Sequence, residues 1–301
     1  MSDRSTKLAT AGGLGAILLW STTFAFARSL SEQVGPLTAA SVVYLIGGAL
    51  CAGRFLVRGG TAKQFLEQRS RAYLIGCGLL FLFYTGAIYV AVGMARDREQ
   101  LVEVALVNYL WPTATILLSI PILGKQGGAM LLPGTVLALA GIFLVITQGS
   151  TISWASVVGH LRGNPFAYGL TFTAAVAWGF YSNLARRWST PGSVGGIALF
   201  LPATGIVLFI LGRFASEHGS WNPRAIVEVA TLGTVTGLAY AFWDLAMRRG
   251  NLLLVAVCSY FTPLFSTVVS CVYLGVSPSP RLLIGCALLI LGSILTWRAV
   301  R

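Results

Sequence analysis

Ten apolar stretches alternate with short polar segments along this chain of 301 residues. The hydrocarbon core of a bilayer needs about 20 apolar residues per helix, and each stretch is close to that length. Because most connections are short, neighbouring helices are predicted to run antiparallel. The remaining segments, including 58–71, 148–164 and 213–224, are polar enough to be predicted as loops. The ten predicted spans are 8–28, 37–57, 72–95, 101–121, 129–147, 165–185, 195–212, 225–246, 252–274 and 282–299.

The first apolar stretch has two features of a secretory signal peptide. Arg4 and Lys7 precede it, and Ala25-Phe26-Ala27 has the pattern of a cleavage site. Its apolar run, however, is longer than the roughly 7–15 residues of a signal peptide. The stretch also has a counterpart later in the chain, so we expect a retained transmembrane helix.

The composition agrees with the pattern, since 56% of the residues are hydrophobic and only 10% are charged. Soluble domains carry about 25% charged residues, so the composition argues against both a soluble enzyme and a disordered chain. The formal net charge of +12 would suggest nucleic-acid binding in a soluble protein. Here the basic residues lie between the apolar stretches, where they act as topology signals and contact lipid headgroups. We therefore predict an all-α integral membrane protein in a lipid bilayer, with no nucleic-acid partner.

The basic residues also predict the orientation of the chain. The two termini and the connections after even-numbered spans carry 14 Lys and Arg residues, against 7 in the connections after odd-numbered spans. Cytoplasmic segments are enriched in Lys and Arg. Both termini are therefore predicted to be cytoplasmic.

The chain contains an internal repeat. Residues 85–147 match residues 236–298 without a gap, at a constant shift of 151 positions. The matches that carry most weight are of Tyr, Pro and Gly: Tyr109 with Tyr260, Pro112 with Pro263, Gly134 with Gly285, and Gly141 with Gly292. The predicted organisation is therefore two five-helix halves, 1–150 and 151–301. Because five is odd, the second half enters the membrane from the opposite side, an inverted-topology repeat that is characteristic of secondary transporters.

Pro112 and Pro263 lie at equivalent positions near the middle of the fourth and ninth predicted spans. A mid-helix proline removes one backbone hydrogen bond and kinks the helix. Each kink is either a static feature of the packing or a hinge, and the sequence leaves both interpretations open. Asn108, Tyr109 and Tyr260 stand beside the prolines at membrane depth, where such side chains line a cavity or pack between helices.

Acidic residues at membrane depth all fall near the ends of predicted spans: Glu103, Glu228 and Asp244. Asp244 is predicted to pair with Arg248, four residues on. Glu103 is predicted to pair with Arg96 or Arg98. No carboxylate falls in the middle of a span, which argues against an exporter of lipophilic cations.

The sequence contains no pattern typical of a catalytic or metal-binding site. The five cysteines lie in apolar stretches without a C-x-x-C pair and are interpreted as small buried hydrophobic residues. His160 and His218 fall in separate loops without a clustered partner, so no metal ion is predicted. No Ser-His-Asp or paired-carboxylate arrangement is found either. We therefore predict neither an enzyme nor a bound cofactor.

With its repeat and its two Pro-containing segments, the chain resembles the drug/metabolite transporter superfamily, of the ten-helix type with two EamA modules. The resemblance spans nearly the whole chain and is greatest to bacterial inner-membrane exporters of aromatic amino acids. It is carried by Leu19-Trp20-Ser21-Thr22, Ser31-Glu32, Gly35-Pro36, Glu103-Val104, Val107-Asn108-Tyr109-Leu110-Trp111-Pro112, Ala177-Trp178 and Ser259-Tyr260-Phe261-Thr262-Pro263.

The resemblance implies export of aromatic and other neutral amino acids from the cytoplasm, by alternating access through a central cavity between the two halves. Such a protein is a multi-pass protein of the bacterial inner membrane, and a monomer or weak homodimer. The alternative is a multidrug or methyl-viologen-type cation exporter of the same superfamily. The implied hinges are Pro112 and Pro263. The implied substrate-binding residues are aromatic or polar: Trp20, Tyr84, Asn108, Tyr109, Trp111, Trp178, Tyr181, Tyr240, Tyr260 and Thr262.

Overall fold

The computed structural model describes residues 3–57, 59–147, 154–190, 195–215, 217, 219–266 and 280–300. Helices dominate this part of the chain, and the only extended pairing in it is an isolated bridge between Gly127 and Val300. A turn of π-helix (Ala72–Cys77) precedes α4, and a turn of 3-10 helix (Ser259–Phe261) follows α12. In chain order the helices are α1 (Asp3–Val34), α2 (Pro36–Val57), α3 (Ala62–Glu67), α4 (Gly78–Gly93), α5 (Arg98–Asn108), α6 (Trp111–Leu123), α7 (Leu131–Ile146), α8 (Trp154–Gly163), α9 (Pro165–Trp188), α10 (Ile197–Phe214), α11 (Pro223–Arg249), α12 (Leu252–Cys258) and α13 (Pro280–Ala299).

Each predicted span coincides with helical structure over its described residues, as expected of apolar segments that must satisfy their own backbone hydrogen bonds. The end of the ninth predicted span, 267–274, lies outside the described residues, as do Cys271 and His218. Within the described ranges, six helical segments are long and apolar enough to cross a membrane: Pro36–Val57, Ala72–Gly93, Glu99–Leu123, Ile197–Phe214, Pro223–Arg249 and Pro280–Ala299. Two shorter apolar helices are Leu131–Ile146 and Leu252–Ser266.

The helix α1 continues past its predicted end at residue 28 and reaches Val34. It stops at Gly35, whose φ of +88° is a left-handed conformation that glycine adopts without steric cost. The next helix begins at once, and the backbone N–H groups of Leu37 and Thr38 donate to the Glu217 carboxylate over 2.8 and 2.7 Å. A carboxylate at this place also complements the positive end of the α2 dipole.

Two of the segments predicted as loops contain short helices, so the prediction of loops throughout 58–71 and 148–164 was wrong. The helix α3 begins with a reciprocal capping box, in which the Thr61 hydroxyl accepts from the Gln64 N–H and the Gln64 side chain accepts from the Thr61 N–H. The helix α8 covers the second half of the later segment. Both helices are short and mix apolar with polar residues, so hydropathy alone does not reveal them.

The chain divides into two compact units. The first unit is Met1–Gly86 with Leu184–Leu252, and the second is Ala87–Asn183 with Leu253–Arg301. Each unit takes segments from both sides of residue 150, so the units are a different division from the halves of the sequence repeat. The domain boundary at residue 150 stays a prediction.

In the first unit, α1 packs on α11, and α2 packs on α10 and α11. The contact of α2 with α11 is close, because a Cβ atom on Gly237 would lie 2.8 Å from the Cα atom of Gly47. The Ser41 hydroxyl donates to the carbonyl of Gly205 on α10 over 2.9 Å. Small residues that let backbones approach in this way are typical of helix packing in membranes.

In the second unit, the most extensive contact is between α7 and α13. It is built on four glycines, which the sequence repeat pairs as Gly134 with Gly285 and Gly141 with Gly292. A Cβ atom on Gly141 would lie 2.7 Å from the carbonyl oxygen of Gly285, and one on Gly292 would lie 2.6 Å from that of Gly134. The glycines that stood out in the sequence therefore mark the helix contact itself.

Candidate functional site

The fourth predicted span is irregular just before Pro112. The helix α5 ends at Asn108 and α6 begins at Trp111, with Pro112 in its first turn. Pro112 has no N–H to donate to the carbonyl of Asn108, and its ring excludes that carbonyl from a regular helix. Pro112 thus lies near the middle of the apolar segment Glu99–Leu123, and the irregular turn falls just before it.

The ninth predicted span changes at the equivalent place. The helix α12 ends at Cys258, a 3-10 turn covers Ser259–Phe261, and α-helical structure resumes at Thr262. The Thr262 hydroxyl donates to the carbonyl of Ser259 over 2.8 Å. Pro263 has no N–H that could donate to this carbonyl. Short 3-10 stretches inside helices often mark functional hinges.

A hydrogen bond joins the two irregular segments. The hydroxyl groups of Thr113, in the first turn of α6, and Tyr260 are 2.7 Å apart. The Tyr260 side chain is completely buried. Tyr109, the repeat equivalent of Tyr260, is half-buried against the same apolar core. The structure thus brings together the two Pro-containing segments that the sequence singled out.

Three of the predicted aromatic residues form one cluster in the second unit. The ring centroids of Trp111 and Trp178 are 6.3 Å apart, edge to face, and those of Trp178 and Tyr181 are 4.9 Å apart. All three side chains are buried. The helix α9 lies directly on α6, since a Cβ atom on Gly179 would be 2.9 Å from the backbone of Ala114. Edge-to-face and tilted pairs are the favoured geometries of aromatic rings.

Polar acceptors without a partner lie close to this cluster in the chain. The side-chain oxygens of Asn108, Ser182 and Asn183 are buried and find no hydrogen-bond partner among the described residues. The Asn183 amide nitrogen donates to the carbonyls of Thr115 and Gly179, both over 2.9 Å, which fixes the amide in place. Buried polar atoms are nearly always paired, so these oxygens are sites where a ligand or water would bind favourably. The predicted substrate-binding residues included Asn108 but not Ser182 or Asn183. The signal that could have identified Asn183 is its polar amide within an apolar span.

A second aromatic cluster lies in the first unit. The Trp20 ring is 5.4 Å from Tyr240 and 5.2 Å from Trp243, centroid to centroid. The Tyr240 hydroxyl is 2.8 Å from that of Tyr44, and Phe81 meets the Tyr240 ring at 5.0 Å. The structure thus brings together Trp20 and Tyr240, two of the predicted substrate-binding residues. Tyr44 and Phe81 were missed, because one aromatic residue in an apolar helix does not indicate which way it faces.

The two remaining candidates, Tyr84 and Thr262, lie in different units. Tyr84 is a half-buried residue of α4 in the first unit, and Thr262 is buried in the second. The ten substrate-binding candidates therefore divide into two groups, Trp20, Tyr84 and Tyr240 in the first unit and the other seven in the second. Their roles in binding, and those of Pro112 and Pro263 as hinges, stay predictions.

The acidic residue Asp244 forms the pair with Arg248 that the sequence predicted. The Arg248 Nε atom donates to the Asp244 carboxylate over 2.8 Å, and both side chains are buried. The Tyr73 hydroxyl donates to the same carboxylate over 2.8 Å and accepts from the Gly196 N–H over 2.8 Å. This network fastens the start of the π-helical turn and residues 195–196 to the end of α11.

Glu103 has different partners from the predicted arginines. The Arg96 guanidinium donates instead to the carbonyl of Gly163 over 2.9 Å, and the Arg98 side chain lies outside the described structure. Glu103 is buried and accepts a hydrogen bond from the Tyr168 hydroxyl. Its carboxylate is also 3.1 Å from Nδ1 of His160. The expectation that His160 has no clustered partner was therefore wrong, because 57 residues of chain bring α8 back to α5.

The third acid, Glu228, is held at the start of α11. Arg224 donates to it over 2.8 Å, Ser29 over 3.0 Å and Gln33 over 2.8 Å. All three acids at membrane depth are thus engaged by side chains of their own unit. Within the described ranges, no group of three His, Cys, Asp or Glu side chains could hold a metal ion.

Comparison with known proteins gives a consistent set of relatives. The chain is 31% identical over 294 residues to the aromatic amino acid exporter YddG of Escherichia coli (strain K12), covering 97% of this chain and 98% of that protein. It is 30% identical to the exporter of the same name from Salmonella typhimurium, over 99% of each chain, and 31% identical to that of Ancylobacter novellus, over 96% of each. A protein of known crystal structure matches the fold with a TM-score of 0.79 at 29% identity, over 96% of each chain.

The model of the EamA-like transporter family matches residues 8–147 and again residues 165–298. These two matches cover most of the chain and include both irregular segments around the prolines. The helical, apolar structure and the exporter relatives indicate a multi-pass membrane protein and a transporter rather than an enzyme. The chain belongs to the EamA-like transporter family.

Proposed function

We propose that this protein exports aromatic and other neutral amino acids, and that it works by alternating access. The observation that carries the proposal is the pair of interruptions at equivalent positions of two apolar helices, next to Pro112 and Pro263. Discontinuous helices at corresponding positions of two repeats are typical of the substrate sites of secondary transporters. The substrate class is suggested by the relatives, three of which are named as exporters of aromatic amino acids.

The chemistry of the second unit suits such a substrate. The rings of Trp111, Trp178 and Tyr181 pack against one another in this structure, and an opening of the cluster would present their π-faces to an aromatic side chain. The free oxygens of Asn108 and Asn183 are acceptors, which is what an α-ammonium group requires. These rings and amides carry no charge, and Glu103, on the same helix as Asn108, is engaged by the Tyr168 hydroxyl, which matches a zwitterion that has no net charge.

The contact between α7 and α13 supports an inverted repeat of ten spans. Gly134 contacts Gly292 and Gly141 contacts Gly285, and the sequence repeat exchanges these two pairs with each other. A contact that is unchanged when the partners are exchanged is characteristic of a two-fold axis. With an axis of this kind in the membrane plane, each half of the chain can adopt the conformation of the other, which is the basis of alternating access.

We place the protein in the bacterial inner membrane with both termini in the cytoplasm. The support is the distribution of basic residues, 14 on the proposed cytoplasmic side against 7 on the other. Reporter fusions test it. A reporter that works only in the cytoplasm is expected to be active when fused at Arg301 and inactive when inserted between Arg96 and Asp97, and the reverse pattern would overturn the orientation.

Transport by the purified protein in liposomes tests the function. We expect counterflow of radiolabelled tryptophan above empty liposomes, and weaker counterflow of threonine. Asn183→Ala is expected to weaken tryptophan binding, whereas the control Thr173→Ala, an exposed hydroxyl on the same helix, should leave it unchanged. No amino-acid movement would overturn the proposal. Movement of methyl viologen instead would establish the cation exporter, which aromatic rings also suit.

A further inference from the structure

The N-terminal end of α5 and the C-terminal end of α8 meet at one imidazole ring, that of His160. Its Nδ1 atom is 3.1 Å from one oxygen of Glu103, and its Nε2 atom is 3.6 Å from an oxygen of Asp97. The Glu103 side chain is 2% exposed and that of Asp97 is 49% exposed. A single histidine therefore faces two carboxylates, one at each nitrogen, and one of them is buried.

Both carboxylates are held as hydrogen-bond acceptors by other groups. The Tyr168 hydroxyl on α9 donates to Glu103. Asp97 is the N-cap of α5 and accepts from the Gln100 N–H over 2.7 Å. Each carboxylate is therefore fixed in position beside the imidazole as a hydrogen-bond acceptor.

Other charged groups around the ring do not replace this pairing. Glu99, in the first turn of α5, adds a third negative charge to the field at His160. Arg96 is engaged with the carbonyl of Gly163, and Arg162 is an exposed residue of α8 itself. Among the described side chains, the charges that act on the ring are therefore those of the acids Glu103, Asp97 and Glu99.

A neutral imidazole carries one N–H and no charge, whereas an imidazolium carries an N–H at both nitrogens and a positive charge that attracts both carboxylates. We propose that His160, Glu103 and Asp97 form a proton-binding site, and that the bound proton fastens α8 to α5. When the proton leaves, one carboxylate faces a nitrogen lone pair instead of a donor, and the attachment of the two helices weakens.

The charges around His160 favour its protonated form. The hydrogen bond with the Glu103 carboxylate raises the pKa of His160 above its ordinary value of 6.5, and the charges of Glu103, Asp97 and Glu99 act in the same direction. The site therefore keeps its proton to a higher pH than an ordinary histidine does, and loses it as the pH rises through the raised pKa of His160.

The site lies in a position to act on transport, and this step rests on the proposed function. The helix α5 is the first part of the interrupted span, and the same end of it contacts the start of α9, because the Asn164 amide donates to the Gln100 side chain over 3.4 Å. Fastening α8 adds a proton-dependent restraint to this end of the span. A low pH on the side of the membrane where α8 lies should therefore slow transport, and a high pH on that side should make transport faster.

Nitrogen NMR of histidine tests the proton site without any transport measurement. The chain has two histidines, so His218→Gln leaves His160 as the only imidazole signal. We expect His160 to titrate above 6.5, and Glu103→Gln to lower its pKa clearly. Asp97→Asn should lower it less, and it serves as the second variant where Glu103→Gln does not fold. The control Glu67→Gln, an exposed acid that pairs with Lys63, should leave the titration unchanged. Titration at an ordinary value that neither Glu103→Gln nor Asp97→Asn alters would overturn the proposal.

Hydrogen exchange tests whether the bound proton stabilises the attachment of α8, and transport measurements test whether it slows transport. We expect the protection factors of amides 154–163 to fall several-fold as the pH passes the His160 pKa, and to be independent of pH in His160→Gln. In liposomes the transport rate of the unaltered protein should rise over the same pH range and that of His160→Gln should not. If no amino acid moves at all, the proposed function fails while the exchange result still decides the proton site. Equal pH dependence of exchange in both proteins would refute the site itself.

Discussion

The carbonyl oxygen of Gly134 on α7 lies 2.6 Å from the point where a Cβ atom of Gly292 on α13 would stand. The same methyl group would lie 2.3 Å from the backbone nitrogen of Ala138. Both neighbours are backbone atoms, so a side chain at position 292 cannot be accommodated by a rotamer change. The two helices would have to separate.

Gly292→Ala is therefore expected to destabilise the protein by about 1–3 kcal/mol, the usual cost of overpacking. Thermal unfolding in detergent measures the effect. Gly169→Ala is the control, because a Cβ atom on Gly169 meets nothing within 4 Å. That change should be neutral or stabilise α9 by up to about 1 kcal/mol through helix propensity. Equal melting temperatures for the two variants would contradict the tight contact.

The buried pair of Asp244 with Arg248 predicts a strong dependence on either partner alone. Asp244→Ala removes the acceptor for Arg248 and for the Tyr73 hydroxyl, and we expect a loss of about 3–5 kcal/mol. The matched control is Glu67→Ala, which removes an exposed pair with Lys63 whose charged atoms are 3.9 Å apart. Exposed pairs contribute about 0–1 kcal/mol, so the control should unfold almost as the unaltered protein does. A similar small effect for both variants would show that Asp244 does not hold this network.

The interruptions beside Pro112 and Pro263 predict a specific kinetic effect. Pro112→Ala restores an N–H that can donate to the carbonyl of Asn108 and make α5 and α6 continuous. A hydrogen bond of about 1 kcal/mol that resists bending corresponds to an about five-fold slower rate. We expect Pro112→Ala and Pro263→Ala to slow transport more than they weaken substrate binding. The control is Pro121→Ala, a proline inside α6 away from the interruption. Unchanged transport in both variants would remove the hinge interpretation.

The raised pKa of His160 predicts how stability depends on pH. A group whose pKa is higher in the folded than in the unfolded state stabilises the fold fully below its unfolded pKa, here 6.5. That contribution is lost as the pH rises through the raised value. His160→Gln should therefore lower the melting temperature at pH 6 and make little difference in alkaline solution. A difference between the two proteins that is constant over the whole pH range would contradict this.

The helices were largely predictable from the sequence, because hydropathy records which segments avoid water. α2 is an example, since its bounds differ by one residue from the prediction. The interruption at Asn108 was less accessible, because a proline in an apolar stretch signals a disturbance but not whether the helix bends or breaks. The repeat match of Tyr109 with Tyr260 was the better guide, as both lie at the irregular turns.

Contacts between distant segments could not be predicted. The approach of His160 to Glu103 depends on α8, a short helix in a segment that hydropathy predicts as a loop. The meeting of Tyr44 with Tyr240 depends on the rotation of two helices about their axes, and residue spacing within one apolar helix does not define that rotation. Pairs four residues apart, such as Asp244 with Arg248, were predictable because one helix sets their geometry.

The hydrogen bond between Thr113 and Tyr260 has a mechanical consequence. Two independent joints in a chain would have two independent angles, and each could change while the other stayed fixed. Here a hydroxyl on one irregular segment holds a hydroxyl on the other over 2.7 Å, so a rotation at either joint must carry the other along or break the bond. This bond therefore couples the two interruptions by about 1 kcal/mol, so that bending both together would cost less than bending either one alone.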